Sequence, residues 1–352
     1  MFSTFKAYCF FLFSCILLFV EQAHAQRTYA SNSVLATGNW YKIGVVKEGI
    51  YKIDVAFLSK LGINTSNIAS SSIRLFGNGG AMLDEKNAVN RPDDLIENAI
   101  EVVDGGDGIF NGNDYVNFYG ASAEKWVKDS ANARFKHQKN LFSDTVYYYL
   151  TIGGTGKRIQ TKNVTATENK SCNSYNERYF HEQELVNFLN SGKEWFGEEF
   201  SSLPGNVLNR NFTINFTGLD ANSSVYIATS LAARSIATSS IFNIAVNNLQ
   251  LSPVNMGAVS GNYLDAFAIS NNRNFSINAA TNPLNISFSF VPGSSSAQGW
   301  LNWFEVHCRR SLNLSLQSQL LFRDWQTVGA GNIVAYTVQN SSSATTHRQS
   351  LR

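Results

Sequence analysis

The 352-residue sequence is 44% hydrophobic and 15% charged, with a formal net charge of +2. This composition suits a folded chain and excludes a disordered or highly charged one. The near-neutral balance, with no basic stripe interleaved with aromatics, gives no general attraction to anionic lipid and excludes nucleic-acid binding. The first predicted element is an export signal. Lys6 is a positive start, Phe10–Val20 a short apolar core and Ala23-His24-Ala25 a small-x-small cleavage site. Residues 1–25 therefore read as a signal peptide, with the mature chain beginning at Gln26. The apolar run is shorter than the about 20 residues a spanning helix needs. Leu12-Phe13-Ser14-Cys15 is a poor lipobox, because Phe13 is bulky and the apolar run continues past Cys15. The expected location is the periplasm or the outer membrane and cell surface. Cys9 and Cys15 leave with the signal, so the mature chain keeps Cys172 and Cys308. An oxidising compartment permits a bridge between them, but two free, partly buried thiols are the simpler expectation.

The remaining length suits two domains of about 150 residues. Trp40–Val46 alternates as a strand, and Ile50–Ile53 follows a turn at Glu48-Gly49, which predicts a hairpin. Asp54 is placed to cap a short helix carrying Phe57, Leu58 and Leu61, with Gly62 as its stop. Ile73–Phe76, Ala99–Val103, Tyr115–Tyr119 and Val146–Ile152 read as strands. Gly77-Asn78-Gly79-Gly80 lacks the Lys-Ser/Thr of a phosphate loop. Residues 26–156 thus form a β-rich first domain. Residues 157–206 read as a linker and an aromatic, acidic junction segment without clear period, in which Tyr179, Trp195 and Phe196 should be buried. From Asn211 the text turns to period-two alternation: Phe212–Phe216, Val225–Thr229, Ile241–Val246, Phe275–Ile277, Leu284–Phe290, Trp300–Cys308, Leu312–Leu316 and Ile333–Val338. That spacing predicts an antiparallel, jelly-roll-like β-sandwich over 207–340, followed by an irregular tail, 341–352. The fold class is mainly β: two β-rich domains with one short helix in the first.

Candidate chemistry is sparse. A cysteine peptidase needs a thiolate within reach of a histidine. His307-Cys308 is the one adjacent pair, and on a strand these side chains face apart, with Cys308 inward and His307 toward solvent. Cys172 has no histidine nearer in sequence than His181. No HExxH or CxxC offers a zinc site, so no catalytic or cofactor-binding residue is assigned. The loop Asp104–Asp114 has two readings. Asp104, Asp107, Asn111, Asn113 and Asp114 with interspersed glycines have the chemistry of a calcium loop, though not the EF-hand register. The same side chains would equally hold the turns of a plain hairpin loop. Trp300 and Trp303 read as core or interface residues rather than sugar platforms.

Several blocks in order resemble a known family. They are Trp40-Tyr41-Lys42-Ile43, Gly49-Ile50-Tyr51-Lys52-Ile53, Leu61-Gly62-Ile63, Ile73-Arg74-Leu75-Phe76-Gly77-Asn78-Gly79-Gly80, Arg91-Pro92-Asp93-Asp94-Leu95, Glu97-Asn98, Asp107-Gly108 and Asp114-Tyr115-Val116 with Phe118-Tyr119. Arg309-Arg310 and Phe322-Arg323-Asp324 continue the series, so the likeness runs from about Trp40 to Val338. Together these residues resemble the N-terminal region of the type IX (Por) secretion system sortase, a gingipain-like cysteine peptidase family of Bacteroidetes. The resemblance implies a cell-envelope protein that works with other type IX secretion components at the outer membrane and with secreted cargo. The family removes the cargo's C-terminal sorting signal and helps attach it to surface lipopolysaccharide. Its chemistry lies in a caspase-like domain that would follow near Gln339. The leading expectation is a noncatalytic, truncated form that scaffolds or docks a peptidase domain. Two alternatives stand beside it: a fragment of an active peptidase, favoured by the polar, basic tail, and a carbohydrate-binding or adhesive module.

Overall fold

The computed structural model describes residues 29–163, 165–190, 194–278, 281–315 and 317–341. The export signal and its cleavage site, and the tail from residue 342, lie outside the described residues. The first unit contains β1 (Tyr41–Val45), β2 (Gly49–Asp54), α1 (Val55–Lys60), β3 (Ile73–Phe76), β4 (Glu97–Asn98), β5 (Glu101–Val103), β6 (Tyr115–Gly120), β7 (Lys125–Asp129), β8 (Arg134–Gln138) and β9 (Val146–Ile152). Helix α1 begins where the sequence placed it: the Asp54 carboxylate accepts from the Phe57 amide at 2.8 Å, and Leu58 is fully buried. Strands β5 and β6 pair across the Asp104–Asp114 loop. The predicted hairpin of β1 and β2 does not form. Strand β1 pairs with β9 and β2 with β6, in separate sheets of order β1-β9-β3-β4 and β2-β6-β5. The short link between them crosses from one sheet to the other, which a local turn signal cannot distinguish from a hairpin. Both sheets enclose one core that includes Ile53, Ile73, Leu75, Phe110, Phe118 and Leu150.

The second unit contains β10 (Lys170–Cys172), β11 (Ser174–Glu182), β12 (Glu199–Ser201), β13 (Asn209–Ile214), β14 (Val225–Arg234), β15 (Ser240–Val246), β16 (Leu249–Gln250), β17 (Val254–Met256), β18 (Ile269–Ile277), β19 (Leu284–Val291), β20 (Gln298–Ser311) and β21 (Val334–Tyr336). Two antiparallel sheets face each other, as the alternation predicted. One runs β11-β20-β14-β18 with β12 on β20; the other runs β13-β19-β15-β16 with β17 on β15. A second, separate core fills the space between them, with Phe200, Phe242, Phe288, Phe290, Phe304 and Leu301. Parallel β10 and β21 form a small two-stranded sheet beside the sandwich.

Two expectations fail here. The stretch 175–200, read as an irregular connection, contains all but the first residue of the nine-residue strand β11 and part of β12. Strand β11 shows no alternation because eight of its nine residues are half-buried, one side on the sandwich and the other under the first unit. The described part of the expected strand Leu312–Leu316, residues 312–315, forms no strand. Among the described residues, no helix is long and apolar enough to cross a membrane.

Candidate functional site

Strand β20 sets the geometry between the units. Opposite β14 its register slips by one residue, with Ser230 facing Trp303 and Leu231 facing Leu301. Asn302 is the extra residue of a β-bulge, which reverses the side-chain phase. Leu301 before the bulge and Phe304, Val306 and Cys308 after it all point into the sandwich core. Glu305, His307 and Arg309 consequently line the outer face. That face is not open to solvent: the β7–β8 hairpin of the first unit covers it. The His137 amide donates to Glu305 Oε1 at 2.6 Å, and His307 Nε2 lies 3.2 Å from Glu305 Oε2. The Trp126 ring meets His307, Phe180 and His137 edge-on, while His137 stacks on Phe180. His307 is thus 9% exposed and buried between units, where the sequence placed it in solvent. Strand alternation gives the face correctly but cannot tell that another unit covers it.

Around this face run ion pairs that join residues of the sequence blocks to one another and to residues outside them. Glu48 accepts from the Tyr119 hydroxyl and from Arg323, and lies 3.5 Å from Arg178 Nη2. Arg178 packs between Trp126 and Phe135, and burial, reinforced by nearby Arg323, lowers its pKa to about 10. Arg309 pairs with the fully buried Asp324 carboxylate at 2.8 Å, and Arg310 with Glu177 at 2.6 Å. In the first unit Arg74 pairs with Glu97 at 2.8 Å. Asn78 donates to Asp94 O and accepts from the Ile96 amide, and Asp94 accepts from Ser33 and Val34. These polar residues therefore tie distant parts of the chain together.

The thiols sit apart from any base. The Cys172 thiol donates to Ser174 O at 2.9 Å and lies 3.3 Å from Asp324 Oδ2. Cys308 is buried, and burial pushes its pKa up to about 12. Both cysteines are free, and among the described residues no histidine is hydrogen-bonded to either. A thiolate nucleophile with its base is therefore not assembled here.

The Asp104–Asp114 loop uses its acceptors on itself. Asp104 accepts from the Gly106 amide, Asp107 from that of Ile109 and Asp114 from that of Asn111. The Asn111 side chain donates to Ile109 O. Gly105, Gly106, Gly108 and Gly112 take the positive φ such turns need, and Phe110 anchors the loop in the core. Among the described residues no three His, Cys, Asp or Glu side chains gather as a metal site, Asn113 adding only an amide.

Of the junction aromatics, Phe196 is buried and Tyr179 half-buried against the sandwich core, but Trp195 is 39% exposed. Trp195 lies in the loop ahead of β12, outside the cluster of Phe188, Phe196, Phe267 and Trp300 that closes this end of the sheet. Trp300 is a packing residue, as expected.

No protein-family profile matches the chain, and no curated protein is similar to it in sequence. Among solved structures it is similar to dimeric latent PorU from Porphyromonas gingivalis, with a TM-score of 0.70 and 21% identity. That match covers 91% of this chain and 29% of the PorU chain. Far weaker likenesses include the carbohydrate-binding module CBM36 in complex with calcium and xylotriose, and the ANXUR2 extracellular domain from Arabidopsis thaliana. Their TM-scores are 0.21 and 0.25, at 14% and 9% identity. They cover 37% and 77% of this chain, and 98% and 84% of their own, and carry no weight at such scores. Across nearly the whole described chain, then, the two-cored architecture built around β20 is a PorU-like fold.

Proposed function

We propose that this chain is a noncatalytic scaffold of type IX protein secretion, exported to the periplasm or the outer-membrane surface. Its partners would be other secretion components, a peptidase domain and secreted cargo. The observation that carries the reading is the PorU-like fold, PorU being a type IX sortase, over 91% of the chain. The noncatalytic part rests on the thiols. Cys172 is engaged by a carbonyl and Cys308 is held neutral in a core, so the described cysteines offer no thiolate to a substrate. The polar residues of the sequence blocks that resemble the sortase, among them Arg74, Glu97, Arg309, Arg310 and Asp324, serve in ion pairs, which suits a structural body rather than a reacting site.

The test is genetic and biochemical together. Deleting the gene should leave secreted cargo with its sorting signal uncut, and the Cys172→Ser/Cys308→Ser double variant should restore processing. Normal cargo processing in the deletion strain would remove the secretion role. Failure of the double variant, if stably present, would remove the noncatalytic role. Intact mass of the envelope protein should give an N-terminus at Gln26.

A further inference from the structure

Beside the Glu305–His307 contact, the two units enclose a cavity of about 140 Å³. Arg134 and Phe135 of β8 form one wall; Asn176, Tyr226 and His307 on the outer sheet face form the other. Exposed Ser224 and Ser276 stand at the mouth. The volume corresponds to roughly five waters.

The charges lining this space are spent elsewhere, with one exception. Glu177 is held by Arg310 at 2.6 Å and by the Tyr175 hydroxyl at 3.0 Å. Arg309 is committed to Asp324, and His307 uses Nε2 on Glu305. Arg134 remains. Its guanidinium carbon lies 3.4 Å from the Tyr226 ring centroid, and among the described residues it has no carboxylate or carbonyl partner. A guanidinium laid flat on a ring keeps its N–H groups at its edge, arranged to grip a carboxylate through two parallel hydrogen bonds. Arg134 opens β8 directly after the hairpin loop, whose last residue, Ala133, has φ +49°. The Asn176 side-chain amide nitrogen makes no hydrogen bond among the described residues and, on the cavity wall, is a further donor.

We propose that this inter-unit cavity binds a small carboxylate, gripped by Arg134, with the Asn176 side-chain amide as a secondary donor. A neutral sugar suits it less, because Arg134 already covers the Tyr226 face on which a sugar ring would stack. The proposal is independent of the secretion role.

Titration calorimetry of the full chain with N-acetylglycine, and with N-acetylglycinamide as its uncharged match, tests it. The acid should bind at millimolar strength and the amide about tenfold more weakly or worse. Arg134→Gln should abolish the preference, while Arg134→Lys, which keeps charge but loses the fork, should retain part of it. Near-UV circular dichroism checks that each variant is folded. If Arg134→Gln is not, Ser276→Phe, which blocks the mouth without changing charge, decides: it should remove acid binding. Equal binding of acid and amide, no heat with acid at about 20 mM, or wild-type binding by folded Arg134→Gln or Ser276→Phe would overturn the proposal.

Discussion

Replacing Glu48 by Gln should loosen the two units from one another. Glu48 lies in the turn before β2 and receives Arg323 and Arg178 from the second unit together with Tyr119 from the first. At 3.5 Å, the Arg178–Glu48 attraction is about 5 kcal/mol at an effective dielectric near 20, before desolvation is subtracted. Arg178 is the sensitive partner: its side chain is 10% exposed, so losing the carboxylate leaves a cation between two aromatic rings with Arg323 nearby. Breaking a fully buried pair costs 3–5 kcal/mol; with Glu48 itself 23% exposed, solvent screening reduces the expected loss to about 2–3 kcal/mol. Thermal unfolding should show a drop of about 5 °C or more. The double variant Glu48→Gln/Arg323→Met should recover about 1 kcal/mol, because it removes the unscreened repulsion of Arg178. A loss below about 0.5 kcal/mol, or a double variant no better than the single, would refute the clamp.

Glu97 is held below the ordinary carboxylate range, chiefly by the Arg74 hydrogen bonds, against the opposing effect of burial. Its contribution is therefore complete above about pH 5 and lost as pH falls through the depressed value; Glu97→Gln should cost about 1–2 kcal/mol at pH 7 and flatten the acid limb of denaturation curves. A Cβ on Gly80 would sit 1.7 Å from Ser122 O, a backbone atom with little room to move, so Gly80→Ala should destabilise by about 3 kcal/mol in urea titrations. A thiol reagent added to the native, mature protein should modify Cys172 at most, with Cys308 reacting only after unfolding, as mass spectrometry of the labelled peptides would show.

What the sequence determined by itself is local. Period-two alternation from Asn211 onward specifies strands with one buried face, and the sandwich follows because that is how two such sheets hide their apolar sides. The Asp54 cap and the Asp104–Asp114 turns were equally legible, since their hydrogen bonds close within two or three residues. What the tertiary structure decided is everything that depends on what lies against a surface. Strand β11 was hidden because both of its faces are half-covered, which erases alternation. His307 was assigned to solvent because a strand's period says which side a residue takes, not whether a hairpin 170 residues earlier lies across it. The Glu48, Arg178 and Arg323 clamp joins residues up to 275 positions apart, and the Arg134 cavity exists only where the two units meet. Pattern reading reports the covalent neighbourhood; long-range burial and charge pairing are properties of surfaces that only folding brings together.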